Sequence, residues 1–245
     1  MTVTADPSVA EPAARIPDDP GERAAFLRAL AEGGDAEAQA LYAQLLLDGN
    51  GVAQDAAAGF AWFNRAAAQG HLMSLNMVGR CYDLGWGVAI DKARAAECYR
   101  IAAEQGLDWA MYNYATLLAL GHGVTEDKAA AFGWFQKAAR MGNAKAMNYV
   151  GSFHEDGWVV SRDMAKAARH YARAAEGGDF RGCFNHARML SDKGRTEEAL
   201  TWIERAGTTA TPAFVEKAGA FLDASSVPAF RARGRAAIER GAARC

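Results

Sequence analysis

Residues 71–106 read HLMSLNMVGRCYDLGWGVAIDKARAAECYRIAAEQG, and residues 107–142 read LDWAMYNYATLLALGHGVTEDKAAAFGWFQKAARMG. Laid one beneath the other, the two blocks share their columns without a gap. The same step of 36 residues extends back to 35–70 and forward to 143–178. Each block closes on a glycine: Gly70, Gly106, Gly142 and Gly178. A second glycine recurs inside it at Gly49, Gly85, Gly121 and Gly157. Val52, Val88, Val124 and Val160 follow three residues later, and Asp55, Asp91, Asp127 and Asp163 three after that. An aromatic column (Phe63, Tyr99, Phe135, Tyr171) and an alanine column (Ala66, Ala102, Ala138, Ala174) complete the period. Self-similarity at this length marks stacked supersecondary units, each too small to bury its own apolar face.

Each column has a physical task. Leu75, Val78, Cys81 and Tyr82 lie at helical spacing and predict a first helix, helix A. The internal glycine ends it by taking the left-handed conformation. The Asp then caps helix B, a contribution of about 1 kcal/mol. Asp35, Asn143 and Asp179 are placed to cap the next helix A. Small residues mark close helix contacts: Ala43, Gly79, Ala115 and Gly151 on helix A, and Gly59, Ala95, Ala131 and Ala167 on helix B. A larger side chain there would overpack by about 1–3 kcal/mol.

The columns run out at both ends. A shortened fifth repeat spans 179–207. It lacks the Gly-x-Gly-Val turn, and its helix B (195–206) follows Gly194, with Trp202 and Ala206 in register. Residues 208–245 read as C-terminal capping helices, at 212–223 and 227–240. Residues 21–34 read as an N-terminal capping helix. Residues 1–20 hold four of the six prolines and are expected to be a disordered tail. The fold class that follows is all-α: a solenoid of about five helix-pair repeats with capping helices.

Composition narrows the function. The net charge of −2 is not that of a nucleic-acid binder. No apolar run approaches the roughly 20 residues that span a bilayer, so no membrane insertion is expected. The first twenty residues have no basic stretch followed by an apolar one, so a cytoplasmic location is expected. Cys81, Cys98, Cys183 and Cys245 form no C-x-x-C pair, which argues against a zinc or redox site.

Motifs of chemistry dissolve into the repeat. The pairs Gly49/Gly51, Gly85/Gly87 and Gly121/Gly123 lack the strand and third glycine of a phosphate loop. Asp48 to Gly51 resembles the start of a calcium loop but has no downstream Glu. His71, His122, His154, His170 and His186 show no H-E-x-x-H spacing. His154, Glu155 and Asp156 could form an acid–base or metal set, but their place at the end of helix A favours a capping or groove role. No nucleophile elbow occurs. No catalytic residue, cofactor or metal site is therefore expected. The basic last helix (Arg231, Arg233, Arg235, Arg240, Arg244) reads as a soluble cap.

These columns resemble the Sel-one-like repeat family, close relatives of tetratricopeptide repeats. Repeat two carries the resemblance as Val78 and Gly79, Tyr82, Gly85-Trp86-Gly87-Val88, Asp91, Arg94 and Ala95, Cys98 and Tyr99, Ala102 and Ala103, and Gly106. Repeats one and three add Trp62-Phe63 and Trp134-Phe135. The resemblance covers about residues 23–207. Leu46, Leu118 and His154 stand where the family often has Tyr. It implies a right-handed superhelix of antiparallel helix pairs and a non-catalytic adaptor role, in bacterial signalling or complex assembly. The alternative it implies is an envelope-associated hydrolase, or a protein that interacts with peptidoglycan or β-lactams. A cysteine-rich exported branch has paired Cys in each repeat; this chain lacks them.

In tetratricopeptide-like solenoids helix A lines the concave surface. A protein or peptide partner is therefore expected on the helix-A face opposite the apolar columns. Repeat two offers Met73, Asn76, Arg80 and Asp83 there; repeat three offers Trp109, Tyr112 and Thr116. Repeat four offers Lys145, Asn148, Ser152 and Glu155; repeat five offers Arg181, Phe184 and Arg188. Asn can satisfy both polar groups of an extended peptide. Arg can grip a carboxylate through two parallel bonds.

Overall fold

The computed structural model describes residues 16–244, which hold thirteen α-helices and no strand. An N-terminal helix, α1 (Pro20–Glu32), precedes the repeats. The A helices of repeats one to four are α2 (Ala36–Asp48), α4 (Leu72–Leu84), α6 (Asp108–Leu120) and α8 (Ala144–Asp156). Their B helices are α3 (Ala56–Ala68), α5 (Lys92–Glu104), α7 (Lys128–Arg140) and α9 (Met164–Glu176). All eight have thirteen residues and recur at the sequence period. The fifth repeat supplies α10 (Phe180–Ser191) and α11 (Thr196–Gly207). Two further helices follow, α12 (Pro212–Asp223) and α13 (Pro228–Ala242). Residues 1–15 of the expected tail lie outside the described residues. Asp19 accepts from the Glu22 N–H and caps α1, so helix already begins at Pro20.

The glycine and aspartate columns act as their spacing predicts. Gly49, Gly85, Gly121 and Gly157 all take left-handed φ values, between 65° and 77°. Asp55, Asp127 and Asp163 each accept a hydrogen bond from the backbone N–H three residues on, at 2.8–2.9 Å. A further bond clamps each turn. The backbone N–H of Asp55, Asp91, Asp127 and Asp163 donates to the carbonyl of Leu46, Tyr82, Leu118 and His154, at 2.8–2.9 Å. That clamp uses only main chain, so it forms alike with Leu, Tyr or His at the acceptor position. The caps at Asp35, Asn143 and Asp179 form. His71 also caps its helix, its ring nitrogen accepting from the Ser74 N–H.

The chain divides into two compact units, Met1–Cys98 and Tyr99–Cys245. In the first, Leu27, Tyr42 and Leu46 form one core cluster, and Phe63, Met77, Val78 and Cys81 another. In the second, Cys183, Ile203, Leu222, Phe230 and Ile238 join α10 to α13 into one core. The small-residue columns sit at helix crossings. A Cβ on Gly151 would stand 2.6 Å from the Tyr171 ring, and one on Gly59 3.0 Å from the Ala43 carbonyl. Cys81 and Cys183 are buried, and burial pushes each thiol up to about 11. The basic α13 is tied down: Arg233 pairs with Glu197, Arg240 and Arg244 with Glu204, and Arg235 with Asp223. Among the described residues no helix is long and apolar enough to cross a membrane.

Candidate functional site

In the second unit the A-helix face opens into a groove of about 550 Å³. α8 forms one wall with Asn148, Tyr149 and Ser152. α10 forms the floor with Arg181, Phe184 and Asn185. α12 forms the far wall with Phe214, Lys217 and Phe221. The Phe184 ring meets Phe214 at 5.7 Å and Phe221 at 5.5 Å, both edge-on, and this fixes α12 against α10. Phe221 is exposed. The groove is of the size and apolar character that ligand and peptide sites favour. Its lining carries two cations, Arg181 and Lys217, and no carboxylate.

A polar network underlies one wall. The Asn185 side-chain amide donates to Asn148 Oδ1 at 2.9 Å, which joins repeat five to repeat four. Arg188 Nη2 reaches both oxygens of Glu155, at 3.0 and 2.9 Å, and Arg188 Nε donates to Asn185 Oδ1. The Tyr171 hydroxyl donates to Glu155 at 2.6 Å. Burial, reinforced by that bond, pushes the Tyr171 hydroxyl well above the usual phenol range. A charge-assisted pair with satisfied neighbours holds its geometry better than an isolated one. The network therefore fixes one edge of the groove.

The structure corrects several expectations for this face. Asn76, Asn148 and Phe184 are buried, not exposed. Asn148 faces the seam between repeats, and Phe184 is covered by α12, a helix without repeat columns. Arg188 does not offer a vacant carboxylate grip, because Glu155 occupies it. Ser152 donates to the Asn148 carbonyl and Thr116 to the Tyr112 carbonyl. Tyr112 packs between Phe135 and Tyr149, and burial raises its hydroxyl above the phenol range. Exposed Trp109 sits under the Lys145 ammonium at 5.2 Å, and Arg181 lies over Phe180. In the first unit, Met73 is exposed, Arg80 stacks on Trp86 at 4.8 Å, and Asp83 accepts from Lys92.

Tyr149, Asn185, Phe214, Lys217 and Phe221 escaped the sequence reading. Asn185 follows the column that contains Asn148, which was the one available signal. His154, Glu155 and Asp156 do not converge: His154 stacks on His170 at 5.9 Å, Glu155 meets Arg188, and Asp156 is exposed. Among the described residues no three His, Cys, Asp or Glu side chains are grouped to hold a metal ion.

The family model for the Sel1 repeat matches residues 36–71, 72–107, 110–143 and 144–179, more than half of the chain. The chain belongs to the Sel1 repeat family. Its helical repeat matches that of a Sel1 repeat protein from Oxalobacter formigenes, at 24% identity and TM-score 0.74, over 92% of this chain and 94% of that one. A protective antigen of uropathogenic Escherichia coli, described as displaying an SLR fold, matches at 27% identity and TM-score 0.66. The match covers 92% of this chain, which spans half the length of the antigen. An immunity protein from Pseudomonas aeruginosa matches at 15% identity and TM-score 0.59, over 85% and 80% of the two chains. No curated protein matches significantly. Sel1 repeats are in general protein-interaction modules, and their fold is typically a non-catalytic scaffold.

Proposed function

We propose that this Sel1 repeat protein is a non-catalytic scaffold that holds a protein or peptide partner on the A-helix face of its second unit. The observation that carries the reading is the groove between α8, α10 and α12. Aromatic edges from Tyr149, Phe214 and Phe221 offer apolar anchorage, and Arg181 and Lys217 give it one sign of charge. A partner that presents an apolar side chain flanked by carboxylates meets both features. Desolvated aromatic and arginine positions are also where interface energy concentrates. Rim charges act mainly on the rate of encounter and on salt dependence.

A photo-crosslinking residue at Phe221, compared with one at Met141, tests the reading in cells of the source organism. A discrete adduct is expected from position 221, weakened at least tenfold by Arg181→Glu with Lys217→Glu. Equal adducts from both positions, or an adduct indifferent to the charge reversal, would count against the groove.

A further inference from the structure

The turn between helix A and helix B has a second task besides reversing the chain. In repeat one, Gly51 lies so close to α1 that an added Cβ would stand 2.0 Å from the Pro20 carbonyl. In repeat two, Gly87 stands in the same relation to the Ala56 carbonyl at the start of α3. In repeat four, the turn residue Trp158 lies 5.6 Å from the ammonium of Lys128, the first residue of α7. Each of these three turns therefore covers the start of the preceding helix. Repeat five breaks the series. α9 starts at residue 164, 21 after its block opens at 143; α11 starts at 196, only 17 after 179. Four residues are missing, and the start of α9 has no turn to cover it.

A cavity of about 650 Å³ stands at that place. Met164, Ala168 and Ala172 of α9 form one side, and Met189 and Leu190 of α10 the other. The α9 residues differ in kind from their counterparts. Met164 stands where α5 and α7 begin with Lys92 and Lys128. Ala168 replaces Phe60 and Phe132, and Ala172 replaces Asn64, Arg100 and Gln136. At Met164 and Ala172 the stripe is apolar where α5 and α7 are polar, and at Ala168 it is small where α3 and α7 are large. Arg169 and Lys193 rim the cavity with Arg195, which pairs with Glu198, and one carboxylate, Asp192, lines it.

We propose that the place left by the missing turn is a second interaction site, which accepts a turn from a partner protein: a small residue and an apolar one beside a carboxylate. Small and apolar residues are what the chain's own turns put at the equivalent positions. The cation excess on the rim selects the acid. The site is separate from the A-helix groove and does not depend on it.

The probe is the capped peptide Glu-Gly-Trp-Gly-Val-Glu, titrated into the full chain with 13C-methyl methionine. The Met164 and Met189 methyl signals are expected to shift saturably while Met73 and Met141 stay still. A Lys-Gly-Trp-Gly-Val-Lys peptide should bind at least tenfold more weakly. So should the acidic peptide to the surface variant Arg169→Glu with Lys193→Glu. Inserting Gly-Trp-Gly-Val between Lys193 and Gly194 restores the period and should abolish the shifts. Still Met164 and Met189 signals, equal binding of the two peptides, or undiminished binding to the insertion variant would each overturn the proposal. A dimer by light scattering that the insertion converts to monomer would overturn it too, in favour of a second copy as occupant.

Discussion

The A–B turns of repeats two and five do the same local job with different amounts of chain. Repeat two uses Gly85 and Gly87, both left-handed, and rests on the helix before it. Repeat five uses one left-handed glycine, Gly194, and the Arg195 N–H bonds to the Leu190 carbonyl. One glycine thus suffices for reversal in repeat five, while in repeat two the second, Gly87, is the residue that packs on the preceding helix. Repeat four lies between them. Its turn keeps full length, but Val159 stands where the second glycine would be, at φ 20°. A β-branched residue at positive φ is strained.

The largest expected effect tests the packed turn. Gly87→Ala places a Cβ inside main chain at a left-handed position, and a loss of about 3 kcal/mol is expected in urea denaturation. A loss below about 0.5 kcal/mol, within the usual range of surface substitutions, would show that the turn does not rest on α3. Next comes Gly151→Ala, which drives a methyl into the Tyr171 ring and should cost about 2 kcal/mol. Because Tyr171 also holds Glu155, the same variant should loosen the Arg188 network; faster hydrogen exchange at the C-terminal end of α8 would report it.

Val159→Gly should act in the opposite direction and gain about 1 kcal/mol by relieving strain. An unchanged midpoint would mean that the turn of repeat four carries none. The mildest effect is on pH. Burial lowers both His154 and His170 below the ordinary 6.5, and each imidazole faces further cations. Lys166 and Arg169 act on His154 against Asp163; His154, Arg173 and Arg169 act on His170. The unfolded chain therefore takes up protons first. This part of the stability is present in full above about pH 6.5 and is lost as the pH falls toward the folded-state values. Repeats one to three have Leu46, Tyr82 and Leu118 in the His154 column and Trp62, Cys98 and Trp134 in the His170 column. Mild acid should therefore speed amide exchange in α8 and α9 before α2 and α3. His154→Gln with His170→Gln should remove the difference.

The repeat was legible because its signals are local. A glycine that must be left-handed and an Asp that must cap report on a few neighbouring residues, and one chain gives four copies of each. The face for a partner was less legible because it depends on distant pairs. Arg188 and Glu155 are 33 positions apart, and nothing in either block announces that they meet. Asn76 and Asn148 look solvent-facing by periodicity, yet a stacked repeat buries the flank of a helix as well as its apolar stripe. α12 follows no repeat column, so its cover over Phe184 and its share of the groove were out of reach of pattern reading.

The two inward-facing thiols, Cys81 in one unit and Cys183 in the other, have a practical consequence. A buried thiol pushed up to about 11 hardly ionises near neutrality, and only the thiolate attacks an alkylating reagent. With Cys98 and Cys245 changed to serine, labelling of the folded chain proceeds only as fast as each unit breathes open. The protein thus carries two native stopwatches, and mass spectrometry of the labelled peptides reads whether the units come apart together or in turn.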